Sequence, residues 1–240
     1  MATRSDAVWK SKALAATYLE GVRGAIPLAS QQIEVMLRLM AGIDRPLGSF
    51  LDLGCGDGVL AAAIAERFPK AWGTLLDFSE PMLEAARIRL SSGIAGMHLV
   101  LADYGVATWT RAVDAYAPFD AIVSGFSIHH QPDVRKREVY GEIFALLGKG
   151  GIFINVEHVA SASPWGAALN DELFVDHLAR HHSGKSREEV AGEYYNRPDK
   201  AANILAPVEA QCEWLREIGF TDVDCYFKIF ELAIFGGRRP

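Results

Sequence analysis

The chain has 240 residues, of which 50% are hydrophobic and 22% charged, enough apolar material for a sizeable core and too much for disorder to dominate. Twenty-four Lys and Arg against 30 Asp and Glu give a net charge of −6. That balance lacks the basic excess needed to track phosphates, so it disfavours a nucleic-acid partner.

Cys55, Cys212 and Cys225 are widely spaced and form no CxxC pair, which argues against a disulfide framework and a zinc finger. The first residues are polar, and no run approaches the roughly 18 apolar residues of a membrane span, so the expectation is a cytoplasmic protein with no membrane partner.

Residues 6–42 carry helical spacing, with Ile33, Met36, Leu37 and Met40 on one stripe and Pro27 as a break; residues 1–46 therefore read as an N-terminal helical cap. A short apolar strand over 49–53 runs into a glycine loop and an alanine-rich helix over 60–68. The unit repeats as strand 73–77 with helix 80–90, strand 98–102, strand 121–124 with helix 136–147, and strand 152–157. Gly148, Gly150 and Gly151 are expected to stop the helix before that last strand. Such alternation predicts an α/β fold with a doubly wound parallel sheet, and residues 47–158 are its core.

Residues 159–206 break the rhythm with helical, His-rich and charged sequence, and read as an inserted lid. A helix over 208–218 stops at Gly219, and alternating apolar residues then predict a β-hairpin at a sheet edge, so 207–240 completes one domain.

The strand ending Asp52-Leu-Gly54-Cys-Gly56-Asp-Gly58 gives a sharp turn that a nucleoside can approach closely, because glycine tolerates positive φ and has no Cβ. Asp77 ends the second strand, 19 residues after Gly58, where a carboxylate can accept from both ribose hydroxyls. Asp103 ends the third strand and can accept from an adenine amine while Tyr104 or Phe78 packs on the ring. A nicotinamide reading is disfavoured, since the strict Gly-x-Gly-x-x-Gly spacing for a pyrophosphate is absent.

Phe50-Leu-Asp-Leu-Gly-Cys-Gly-Asp-Gly58, Leu76-Asp77, Ala102-Asp103 and Phe119-Asp-Ala-Ile-Val-Ser124, in that order, resemble the motif set of class I, Rossmann-like S-adenosylmethionine-dependent methyltransferases. The helix ending Trp214-Leu-Arg-Glu-Ile-Gly-Phe220 and the two strands after it resemble the C-terminal part of that family. The resemblance implies a seven-stranded sheet with the last strand antiparallel, S-adenosyl-L-methionine as cofactor, and Asp52, Gly54, Gly56, Asp77, Phe78, Asp103, Tyr104 and Ser124 around it. Tyr18, Arg23-Gly-Ala-Ile-Pro27 and the lid are similar to a narrower subgroup that includes carboxy-S-adenosylmethionine synthase. That likeness implies Tyr18 and Arg23 over the cofactor and an arginine, placed at Arg197, on its sulfonium side; the glycine loop is that of an ordinary methyltransferase.

Methyl transfer mainly needs collinear nucleophile, methyl and sulfur, with a modest base. The ligand edge of an open α/β sheet lies at the strand C-termini, which makes His129 or His130 a candidate base after the fourth strand, packing or capping being the other reading. Glu157 at the end of the fifth strand is a base, an anchor for a cationic substrate or an arginine partner. His158, His181 and Arg197 are candidate contacts to a small-molecule acceptor. His177 and His181 share a helix face at metal-ligand spacing, but no third ligand is placed, and no metal is assigned. Cys55 reads as a packing residue. A homodimer stays open, and an enzyme that modifies the cofactor itself, or a binding module without turnover, remains the alternative to methyl transfer.

Overall fold

The computed structural model describes residues 5–17, 26–91, 96–181, 184–197, 200 and 202–240. Seven strands pair in one sheet: β1 (Ser49–Leu53), β2 (Trp72–Asp77), β3 (Met97–Leu101), β4 (Phe119–Gly125), β5 (Leu147–His158), β6 (Thr221–Ile229) and β7 (Leu232–Arg238). Their order is β3-β2-β1-β4-β5-β7-β6. The first five are parallel, and β7 runs antiparallel to both β5 and β6, as the expected Rossmann-like sheet requires. Strand order reverses between β1 and β4, so a crevice opens beyond their C-terminal ends, the place where open α/β sheets take ligands.

The sequence of β1, Ser-Phe-Leu-Asp-Leu, is buried at all five positions because helices cover both faces of the sheet. Phe50 packs on one side with Met36, Met40, Ile64 and Leu75, while Leu51 and Leu53 pack on the other with Tyr140, Phe153 and Phe235. After a short helix α1 (Lys12–Thr17), α2 (Ala29–Ala41), α3 (Val59–Arg67) and α4 (Glu80–Leu90) supply the first layer; α5 (Asp133–Leu146) supplies part of the second. Of the expected α2 stripe, Met36 and Met40 are fully buried and Ile33 and Leu37 pack at its margin.

Two boundaries differ from the sequence reading. Helix α5 begins at Asp133, directly after Pro132, and ends at Leu146; residues 147–151 already belong to β5. Leu147 pairs with Phe119, and a Cβ at Gly151 would meet the Gly148 carbonyl oxygen at 2.8 Å, so that glycine permits close backbone approach and is not a helix stop. The C-terminal hairpin likewise leaves only β6 at the edge, since β7 inserts between β5 and β6.

The segment after β5 folds into α6 (Pro164–His181) and α7 (Arg187–Tyr195) around a small core of Phe174, Val175, Leu178, Val190, Tyr194 and Leu232. Ser186 starts α7 with a reciprocal capping box to Glu189. Helix α8 (Val208–Ile218) ends at Gly219 with φ 115°, a left-handed cap that only glycine adopts without strain. No helix among the described residues is long and apolar enough to cross a membrane.

Candidate cofactor and acceptor site

The cavity at the switch point encloses about 390 Å³, within the range of small-molecule pockets. Its floor is the turn after β1, where Gly54, Gly56 and Gly58 have φ of 67°, 54° and 73°. Gly54 and Cys55 donate their N–H groups to the Leu76 carbonyl at 2.8 and 3.0 Å, which ties the turn to the end of β2. A Cβ at Gly54 would stand 1.9 Å from the Ser127 hydroxyl, so this position is closed to side chains by space as well as by φ. Asp52 is buried below the turn and accepts from the Ala61 N–H at 3.2 Å, anchoring the first turn of α3. Burial pushes the Cys55 thiol well above its ordinary range, in keeping with a packing residue.

Asp77 accepts from the Gly56 N–H at 2.9 Å through one carboxylate oxygen and from the Ser79 N–H at 2.8 Å through the other. Each oxygen keeps a further lone pair, and the residue lines the cavity. Burial raises its carboxyl to about 6, against the opposing pull of the backbone N–H groups. Phe78 lines both this cavity and an adjoining depression formed with Lys10, Leu101, Ala102 and Asp103. Lys10 Nζ stands 5.5 Å from the Phe78 ring centroid. Asp103 is thus set beside the main cavity, its carboxylate accepting from the Gly105 N–H at 2.8 Å. Tyr104 lines the main cavity with its hydroxyl 2.7 Å from that of Ser127.

Another wall of the cavity is built from both histidines of the turn after β4. His129 lines the cavity, with Nδ1 2.6 Å from Glu157 Oε1 and its backbone N–H donated to Glu157 Oε2 at 3.0 Å. Glu157 also accepts from the His158 N–H at 2.8 Å, and burial raises its carboxyl to about 7. His130 is held differently. The Trp9 indole N–H can only donate, so at 3.1 Å it makes His130 Nε2 the acceptor and leaves Nδ1–H to the Ala202 carbonyl at 3.2 Å. Phe126, beside them on the cavity wall, holds φ at 49°, a strained conformation for an aromatic residue.

Most of the sequence-predicted residues therefore meet at one cavity: Asp52, Gly54, Gly56, Asp77, Phe78, Tyr104, His129, His130, His158 and Arg197 all line it. Three do not. Glu157 lies behind His129, fully enclosed, and reaches the cavity only through that ring. Ser124 donates its hydroxyl to the Leu53 carbonyl at 2.8 Å and tightens the β1–β4 pair. His181 ends α6 on the exposed surface, and among the described residues it and His177 join no cluster of three metal-ligating side chains. Tyr18 and Arg23 lie outside the described residues.

Sequence reasoning missed Trp9, Phe126, Lys200 and Glu231. Lys200 lines the cavity with Arg197, its Nζ 4.1 Å from the Tyr194 ring centroid and 2.8 Å from Asp171. Trp9 closes the far wall, its carbonyl accepting from the Ser79 hydroxyl at 2.7 Å. A single tryptophan in a polar N-terminus was the available signal; for Glu231, at a hairpin turn, there was none.

Residues 50–151 match a family model described as a methyltransferase domain. Over these residues the chain carries a methyltransferase domain. Over 176 residues it is 35% identical to trans-aconitate 2-methyltransferase of Methylobacterium radiotolerans, covering 68% of this chain and 58% of that protein. Over 223 residues it is 28% identical to carboxy-S-adenosyl-L-methionine synthase of Chromohalobacter salexigens, covering 91% of this chain and 78% of that one. The fold also matches a crystal structure of human N-acetylserotonin methyltransferase in complex with S-adenosylmethionine, with TM-score 0.62 and 15% identity over 98% of this chain and 58% of that one. The chain thus spans somewhat under two thirds of the first of these relatives and of the human enzyme. The matched residues include the glycine turn, Asp77 and strands β2 to β4 of the sheet.

Proposed function

We propose that this chain transfers a methyl group from S-adenosyl-L-methionine to a small-molecule acceptor, with His129 as general base. The observation that carries the reading is the position of His129 on the cavity wall, backed by Glu157, in the same pocket as Asp77 and the glycine turn. The cradle fits the cofactor: Gly54 and Gly56 present bare backbone to the cavity, the Asp77 lone pairs suit a ribose, and Phe78 with Asp103 offers a face and an acceptor for adenine. When bound, the cofactor supplies an electrophilic sulfonium methyl.

When Glu157 is ionised and takes Nδ1–H, the ring of His129 has Nε2 as its basic nitrogen, suited to take a proton from an acceptor hydroxyl or amine. His130 has both nitrogens committed, to Trp9 and Ala202, and serves to shape the wall. Arg197 and Lys200 give the acceptor end a cationic rim, which supports an anionic group on the acceptor. The test is to supply the methyl donor with a tritiated methyl group and a library of small hydroxylated and carboxylated acceptors. Label should move to an acceptor with wild type and drop about 10²- to 10⁴-fold in rate with His129→Ala.

A second reading is favoured by the similarity to the carboxy-S-adenosyl-L-methionine synthase over 91% of the chain and by Arg197 on the cavity wall. In it the cofactor itself is modified. Mass spectrometry of the small molecules after incubation separates the two, since that reading yields a new sulfonium species and no methylated acceptor.

A further inference from the structure

His158 belongs to a second histidine–carboxylate pair. It ends β5 on the cavity wall, its Nε2 lies 2.9 Å from Glu231 Oε2, and Glu231 is itself buried in the turn between β6 and β7. Asn170 of α6, fully buried, donates to the same Glu231 oxygen at 3.1 Å and accepts from the Glu231 backbone N–H at 3.4 Å. The carboxylate thus binds the lid helix, the sheet and the histidine at one point. We propose that Glu231 is a positioning residue that, through His158, selects acceptors carrying a carboxylate, and that such acceptors bind with uptake of a proton on His158. The proposal rests on the methyltransferase reading of the cavity and gives its acceptor class.

The argument is one of orientation and charge. Nε2–H donated to a carboxylate leaves Nδ1 as the remaining polar atom of a ring that lines the cavity. A neutral Nδ1 accepts hydrogen bonds and a protonated one donates, so a carboxylate at Nδ1 is bound well only with a proton between them. Glu231 favours that state: although burial pushes its carboxyl up, hydrogen bonds from His158 and Ser161 hold it below the ordinary range and keep it ionised. The other titratable groups facing His158 are Glu157, which accepts its backbone N–H, His129, whose ring centroid is 5.7 Å away, and His130 beyond it. From His158 an aromatic wall continues through Phe174, at 6.4 Å, and Tyr194, stacked on it at 6.0 Å, to Lys200 and Arg197. Among the described residues, the carboxylates that line the cavity, Asp52 and Asp77, sit at the glycine-turn end, whereas the cations that line it are Arg197 and Lys200 at the far end of the aromatic wall.

The test uses the full chain loaded with S-adenosylhomocysteine and titrated calorimetrically with benzoate, fumarate and citrate, and with benzamide as neutral control. Each titration is run in two buffers of different ionisation enthalpy. At least one carboxylate should bind at least tenfold more tightly than benzamide with net proton uptake. Glu231→Gln and His158→Gln should each weaken that binding at least tenfold and abolish the uptake, with affinity for S-adenosylhomocysteine unchanged. Carboxylates that bind no better than benzamide, or binding and proton uptake retained in both variants, would overturn the proposal. Failure of S-adenosylhomocysteine itself to bind wild type would instead overturn the methyltransferase reading beneath it.

Discussion

Asp77 carries the cofactor assignment at the scale of a single residue. Asp77→Ala is expected to weaken S-adenosylhomocysteine binding by about 1.5 to 3 kcal/mol per charge-assisted hydrogen bond lost, measured by calorimetry on a variant whose circular dichroism is unchanged. Its carboxyl titrates at about 6 in the fold, against roughly 3.9 in an unfolded chain. A raised carboxyl binds its proton longer when folded, so its contribution to stability falls as pH rises from about 4 through 6. Cofactor affinity should run the other way, falling as pH drops below 6 because the ribose needs the ionised form; Asp77→Asn should flatten that dependence. Glu157 marks what the sequence left open: its place at the strand end was legible, its enclosure behind His129 was not, because which way a β5 side chain points depends on the turn after β4 packing over it. Glu157→Gln should lower kcat with little change in KM for the cofactor, since it acts on the base and not on the cradle.

Among the elements, β1, α4 and α8 follow directly from local signals: an unbroken apolar strand, a helix with Pro81 in its first turn, and a helix closed by Gly219. The glycines at 148, 150 and 151 misled because a helix stop and a close strand approach ask for the same residue, and only the pairing partner Phe119 separates them. Helix α2 rests on two methionines at helical spacing, so Met40→Ala should cost about 2–5 kcal/mol in chemical denaturation. We propose that α6 and α7 open and close over the cavity. Their connection back to the core runs through the Lys136 ammonium, which donates to the Ile204 carbonyl at 2.5 Å, and through the Ile204 N–H to the His129 carbonyl at 3.0 Å. Hydrogen exchange should show amides of α6 and α7 gaining protection with cofactor product and a bound carboxylate; equal protection without them would make the helices a static layer.

For the whole molecule, one sheet brings the ends of β1, β2, β4 and β5 to a single cavity, and that convergence is why motifs more than a hundred residues apart act together. The order of the motifs along the chain was enough to bring their residues to one edge, because each sits at a strand C-terminus and parallel strands put those ends together. The lid wall was not legible, since Lys200, Tyr194 and Glu231 meet only through helix packing and a hairpin turn. The central claim is that this edge binds an adenosyl cofactor through the glycine turn. Calorimetric titration of S-adenosylhomocysteine into wild type and Gly56→Val tests it most directly. One site per chain in wild type, and none detectable in a variant that melts as a folded protein, is the expected result; no binding to wild type, or equal affinity in Gly56→Val, would contradict it.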